Sequence, residues 1–235
     1  MMDAGYASER TRVRRQPRRG RYDANAVYEV LDAGLVAHVA FVEGQQPFCI
    51  PMLQARIGDV VYIHGSIASR AVRVLGSGCQ ACLTVTVLDG IVLARSAFEH
   101  SANYRAAVVL GRFRPVEDAT EKVRALAAFT DKMIPGRWEE VRQPSAKELK
   151  ATAILALPLG EASVKVRSGP PSDDNSVDAR RDTWAGVLPL ETNFGTPVPS
   201  PGLRPGITLP VSVRRMRRMR RRLNDHTGAL PSTSP

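Results

Sequence analysis

The segment His64-Gly65-Ser66-Ile67-Ala68-Ser69-Arg70 brings an imidazole, two hydroxyls and a guanidinium together within one short stretch. It stands where an apolar run ends and a helix-like run begins. Backbone N–H groups left free at such a helix start attract anions. Ser66 and Ser69 add hydroxyl donors, Arg70 adds a fork that grips phosphate oxygens in bidentate fashion, and Gly65 lets the backbone come close to a ligand. These are the parts of a phosphate site. The plainer alternative, Ser69 as a helix cap and Arg70 as a surface charge, weighs evenly against it. His64 can donate a hydrogen bond or pass a proton, or it can simply satisfy backbone groups at a strand end.

A second polar block, Arg95 to Arg105, joins two strand-like runs and includes Asn103 and Tyr104. Its composition suits an exposed connection better than a cleft. Cys49, Cys79 and Cys82 are the three cysteines. Cys79-Gln-Ala-Cys82 has CxxC spacing, but no second ligand pair accompanies it, and it leads into a strand rather than a helix. A small buried thiol at Cys82 is the simpler expectation.

The elements that must position these residues are mostly strands. Runs rich in Val, Ile and Leu cover residues 35–42, 48–57, 60–64, 81–88, 91–98 and 104–113. Glu43-Gly44, Gly58-Asp59 and Asp89-Gly90 separate them with the chemistry of tight hairpins. Six short strands with tight turns imply antiparallel pairing in a barrel or sandwich. Asp23 is placed to cap a helix carrying Ala26, Val27, Val30 and Leu31, with Gly34 closing it. A short helix is expected at 69–75 and a longer amphipathic one at 119–133, with Val123, Leu126, Ala127 and Met133 on its apolar side. Residues 154–157 and 163–166 can add two strands. Lys165 and Arg167 share one face of the latter, where they can reach an anionic ligand or line a solvated edge.

The formal net charge is +10. Residues 9–21 hold seven Arg and residues 214–222 seven more, so the stretch between them, with 19 basic and 20 acidic side chains, is nearly neutral. The sequence therefore divides into a disordered basic tail at 1–20, a folded domain at 21–190, a Pro-rich extended segment at 191–213 packing on that domain, and an Arg-rich disordered tail at 214–235. The second Arg run can neutralise phosphates but has no aromatic residue to stack on bases, so nucleic acid is at most a non-specific, salt-sensitive partner. No apolar run is long enough to span a membrane, and the start of the chain lacks the apolar core of a secretory signal. A cytoplasmic location is expected.

Several blocks in order resemble the flavin-nucleotide-binding proteins of the pyridoxamine-phosphate-oxidase-like superfamily, in the branch of the nitroimidazole-resistance proteins. These are Gly34-Leu35-Val36-Ala37-His38-Val39-Ala40-Phe41, Ile50-Pro51, Tyr62-Ile63-His64-Gly65-Ser66, Ala68-Ser69-Arg70, Thr84-Val85-Thr86, Asp89 to Phe98 and His100 to Arg105. Lys165 to Pro171 and Trp184 to Leu190 continue the likeness, which covers residues 21–210.

The resemblance implies a mainly β (α+β) fold, a six-stranded antiparallel split β-barrel with flanking helices. It implies a homodimer with FMN at the subunit interface. Ser66, Ser69 and Arg70, with Gly65, would hold the FMN phosphate. The flavin ring would lie along Ile50, Pro51, Tyr62, His64 and Thr84, with Asn103 and Tyr104 approaching from a loop. Lys165 and Trp184 complete the set, although Trp184 suits the dimer seam better than the ring. The activity implied is an FMN-dependent reductase or oxidase of a small, low-charge organic molecule, nitroimidazoles being the example of the branch, with His64 or Tyr104 as proton source. The paired Arg/Lys clamp of true pyridoxamine-phosphate oxidases is missing, which speaks against vitamin B6 oxidation. A haem-binding split barrel, with His38, His64, His100 or His226 as ligand, and a deazaflavin-dependent reductase are the alternatives.

Overall fold

The structure, a computed structural model, describes residues 5–216. Its strands are β1 (Gly20–Arg21), β2 (Val36–Glu43), β3 (Gln46–Ile57), β4 (Val60–Ser66), β5 (Gln80–Leu93), β6 (Ser101–Arg112), β7 (Arg114–Pro115), β8 (Thr152–Pro158), β9 (Glu161–Arg167) and β10 (Gly186–Pro189). The helices are α1 (Ala24–Ala33), α2 (Arg70–Gly76), α3 (Ala119–Met133) and α4 (Ala146–Ala151). The strands run antiparallel in the order β1-β9-β6-β5-β2-β3-β4-β8-β7, with β10 beside β5. The class is the expected antiparallel split barrel. Two of the six expected runs, 81–88 and 91–98, merge into β5, and β8, β9 and the short strands β1, β7 and β10 bring the count to ten.

β3 bends the sheet into two lobes. Its first part pairs with β2, Val36 facing Leu53 and Glu43 facing Gln46, and its last residues pair with β4, Gln54 facing Ile63. Side chains alternate across each lobe. On β4, Val61 and Ile63 enter the barrel core with Leu155 and Leu157, whereas Tyr62 faces the other way and packs with Ile154 and Ala156 beneath α3. Gly44 and Gly58 occupy the two hairpin turns at positive φ, as the sequence requires.

α1 forms as expected. The Asp23 carboxylate caps it by accepting from Ala26 N, Val27, Val30 and Leu31 are buried, and Gly34 ends it. Its last carbonyls find partners in other elements. Gln54 Nε2 donates to Leu31 O and Gly34 O at 2.6 Å each, and Lys132 Nζ donates to Leu31 O at 2.6 Å. This satisfies the helix end and fixes the start of β2.

Four expectations need correction. Asp89-Gly90 is not a hairpin: β5 runs through it, and the pairing with β6 slips by one residue between Leu88 and Gly90. Gly90 is needed there because a Cβ would come within 3.0 Å of Leu188 O on β10. The apolar face of α3 is also displaced, since Ala125 and Phe129 are its buried residues and Met133 is exposed. The sequence expectation omits α4, which a Ser145/Glu148 capping box starts. Finally, residues 5–20 are not a free tail. Tyr6 OH donates to Asp59 at 2.6 Å, Arg10 grips Glu161 with two hydrogen bonds, Thr11 is buried and β1 joins β9. Residues 191–210 form neither helix nor strand, with turns at 201–202 and 205–206, and a helical turn follows at 211–216. The remainder of the Arg-rich run lies outside the described residues. Among the described residues no helix is long and apolar enough to cross a membrane.

Candidate functional site

Two groups of residues converge on chemistry. The start of α2 brings together Ser66, Ser69 and Arg70, the residues expected to hold a phosphate. Ser69 Oγ caps α2 by accepting from Val72 N at 3.2 Å, and Ser66 Oγ accepts from Ala68 N at 3.3 Å. Accepting from the backbone leaves both O–H protons free to donate. Arg70 lies over the Phe48 ring, 4.7 Å from its centroid, and pairs with Glu43 at 3.3 Å. Arg73 holds the same carboxylate at 2.8 Å. Two guanidiniums against one carboxylate leave a net positive charge, and Arg70 remains more than half exposed. The cap role of Ser69 therefore leaves its hydroxyl donor free. Gly65 faces α2 instead of a ligand, because a Cβ there would meet Val72 Cγ2 at 3.0 Å.

By the start of β2, an open cavity of about 630 Å³ is walled by Leu35, Val36, His38, Leu88, Met133 and Phe194. Asp32 and Lys132 line it as well. His38 is exposed on the outward face of β2, opposite Pro51 on one side and Thr84 on the other. Its ring has no hydrogen-bond partner among the described residues, so both nitrogens are open. Burial lowers the Lys132 pKa from its ordinary 10.5 to about 8.

The same outward face collects several of the expected cofactor residues. Pro51, His38 and Thr84 stand in one cross-strand row, and Ala106 and Lys165 in the next, beside Thr86. Tyr104 sits between Leu88 and Arg167. Ile50, opposite the buried Val39, points to the other side of β3. Trp184 is strongly exposed just before β10, its ring folded over Gly186.

Two expected site residues are committed elsewhere. Tyr62 is buried under α3, and its hydroxyl donates to Glu121 Oε1 at 2.8 Å, so it lies away from any ring on the outward face. Asn103 is buried too. Its Oδ1 accepts from Arg167, and its Nδ2 donates to Gly169 O at 3.1 Å. It ties β6 to the 168–171 loop. His64 is half-buried with its ring edge-on to Phe129, centroids 4.6 Å apart, and burial lowers its pKa, which keeps it neutral. His100 turns back to Ser96 O at 2.8 Å, and His226 lies outside the described residues. The three cysteines are free thiols, and no group of metal-binding side chains forms among the described residues. Lys132 and the apolar wall around His38 escape sequence reasoning because α1, β2, α3 and the 190–194 segment contribute to them separately.

The sequence profile of the pyridoxamine 5'-phosphate oxidase family matches residues 23–166. The chain belongs to this family. Among solved structures it is similar to the flavocytochrome Anf3 of Azotobacter vinelandii, with 41% identity over 89% of this chain and 97% of that one, at a TM-score of 0.83. It is also similar to a FAD- and haem-binding protein of Mycobacterium smegmatis, with 40% identity over 84% and 97% of the two chains, at a TM-score of 0.80. A 5-nitroimidazole antibiotic resistance protein of Bacteroides thetaiotaomicron shares 18% identity over 63% and 86%, at a TM-score of 0.53. That last likeness is one of fold. No curated protein sequence matches the chain.

Proposed function

We propose that this protein is a homodimeric flavin- and haem-binding redox protein. The observation that carries the reading is a 40–41% identity spanning nearly the whole of two proteins named for both cofactors. The presence of two distinct residue groups supports it. The Ser66/Ser69/Arg70 group suits a flavin phosphate, and the His38 cavity suits a planar apolar macrocycle.

The fit is chemical. An imidazole with open nitrogens in an apolar wall can serve as an axial ligand, and Lys132 beside it can pair with a propionate. The volume of about 630 Å³ falls within the range of cofactor sites. When bound, a flavin exchanges two electrons with an organic donor and a haem exchanges one. Residues of this chain would position both groups: Glu43, paired with Arg70, would hold its guanidinium beside a phosphate, and Gln54 and Lys132 fix the end of α1 before the strand that carries His38. The uncharged outward positions Val36, Ala40, Pro51 and Thr84 support a two-fold partner covering that face. The flavin is FMN if the Ser66–Arg70 group is its main anchor, and FAD by analogy with the mycobacterial relative.

Purified protein is expected to show flavin absorbance and a Soret band, with the flavin identified after heat release. His38→Ala should lose the Soret band and keep the flavin. A wild-type protein without a Soret band would reduce the reading to a flavoprotein. Retention of haem by His38→Ala would move the axial ligand elsewhere.

A further inference from the structure

A pocket of about 350 Å³ opens between the N-terminal arm and the end of β9. Arg18, Arg19, Arg21 and Arg167 line it, together with Ser168 and Ser172, and no carboxylate does. None of the four arginines has a carboxylate partner among the described residues, whereas Arg10, Arg56, Arg95, Arg105 and Arg114 each do. Arg167 is 6% exposed, and its donors go to neutral acceptors, Asn103 Oδ1, Gly169 O and Pro170 O. Its charge is therefore oriented but not cancelled. Burial, and then the neighbouring Arg19, hold its pKa down.

The fold holds these like charges in place. The turn Pro17–Arg19 carries two of them, and β1 pairs with β9, Gly20 opposite Lys165 and Arg21 opposite Val164. Gln16, immediately before the turn, is the one non-glycine residue at positive φ among the described residues, a conformation typical of ligand clamps. Uncompensated guanidiniums fixed around a concavity form an anion site. A carboxylate would use one fork. Three open forks, the uncancelled charge of Arg167 and two hydroxyls call for a group with several charges and several oxygens, and the volume exceeds that of a lone phosphate.

We propose that this pocket binds the diphosphate group of a nucleotide. The ligand is a nucleotide separate from the flavin, whose phosphate the proposed function assigns to Ser66, Ser69 and Arg70, on β4 and the start of α2, away from β9 in the sheet order. The inference stands independently of the haem assignment.

The test is calorimetric titration of the full-length protein with inorganic pyrophosphate at low and moderate salt. Saturable binding is expected, weaker for orthophosphate, and at least tenfold weaker for Arg18→Ser/Arg19→Ser. Arg18→Lys/Arg19→Lys, which keeps the charge and loses the forks, should fall between, so a general loss of folding is separable from loss of the site. Arg220→Ser/Arg221→Ser/Arg222→Ser should bind as wild type. If the serine double variant loses its flavin, the pocket serves the flavin and the separate-nucleotide proposal falls. If its flavin content is unchanged, a second nucleotide is the ligand. Absence of pyrophosphate binding by wild type, or equal binding by the serine double variant, overturns the proposal.

Discussion

Lys132 places its ammonium against the end of α1, donating to Leu31 O in the wall of the His38 cavity. Burial moves its pKa from 10.5 to about 8, so between those values the unfolded chain holds a proton that the folded chain has released. Stability must then rise with pH through that window. Urea unfolding of wild type and Lys132→Met from pH 7 to 10.5 should show wild type gaining on the variant as pH increases; a constant difference would mean that the ammonium is not desolvated. An anionic group bound in the cavity would pull the pKa back up and flatten the gain. His64 behaves in the same sense at lower pH. Its depressed pKa means stability present above about pH 6.5 and lost as pH falls through the folded value, and His64→Phe, which keeps the ring contact with Phe129, should remove that dependence. At this scale the sequence discloses residue chemistry better than residue direction. Ser66, Ser69 and Arg70 lie together because they are near neighbours in the chain. Tyr62 and Asn103 share the right blocks, but strand alternation turns Tyr62 under α3 and a buried arginine claims Asn103.

α3 closes one lobe of the barrel through Phe129, which is 4% exposed and lies over His64 and beside Tyr62. Phe129→Ala would leave a cavity under a helix held by few other buried side chains, at a cost of about 3–5 kcal/mol. Thermal unfolding checks the loss, and a rise of the His64 pKa toward its ordinary value, followed by NMR, checks that the ring is what shields the imidazole. The boundaries of α3 are legible in its periodicity and in Asp118, which caps it by accepting from Glu121 N at 2.7 Å. The buried face is not, because it depends on where β3 and β8 present Ala55, Ile154 and Ala156. The Asp89-Gly90 bulge shows the same limit. The dipeptide has hairpin chemistry, yet β6 and β10 flank β5 there and prolong the ladder past it. Local turn preference yields to pairing on both sides.

Across the whole molecule, the N-terminal arm is a structural component that composition disguises. Seven arginines in residues 9–21 have the signature of a solvated tail. What fixes the arm is sparse and distant in sequence. Tyr6 N donates to Tyr22 O at 2.9 Å, Ala162 N to Tyr6 O at 2.9 Å, Ser8 Oγ to Glu161 at 2.9 Å and Val13 N to the Tyr22 hydroxyl at 2.9 Å. Tyr6 and Tyr28 both donate to Asp59, whose carboxyl they hold below the usual range, while burial and that carboxylate raise the Tyr6 pKa. Each such bond contributes about 0.5–1.5 kcal/mol net, less the entropy of ordering the arm. Deleting residues 1–13 should therefore lower stability measurably, by about 1–3 kcal/mol, whereas a free tail would cost nothing. The Asp59 link adds a pH signature. A lowered carboxylate pKa stabilises the fold above the ordinary carboxylate range and loses that contribution as pH falls through the folded value. Because Tyr6 leaves with the deleted segment, the difference in urea midpoint between full-length and truncated protein should shrink between pH 5 and pH 3. A difference that stays constant across that range would place the arm's contribution in its backbone bonds alone, and no difference at any pH would return residues 5–13 to the solvated tail that their composition suggests.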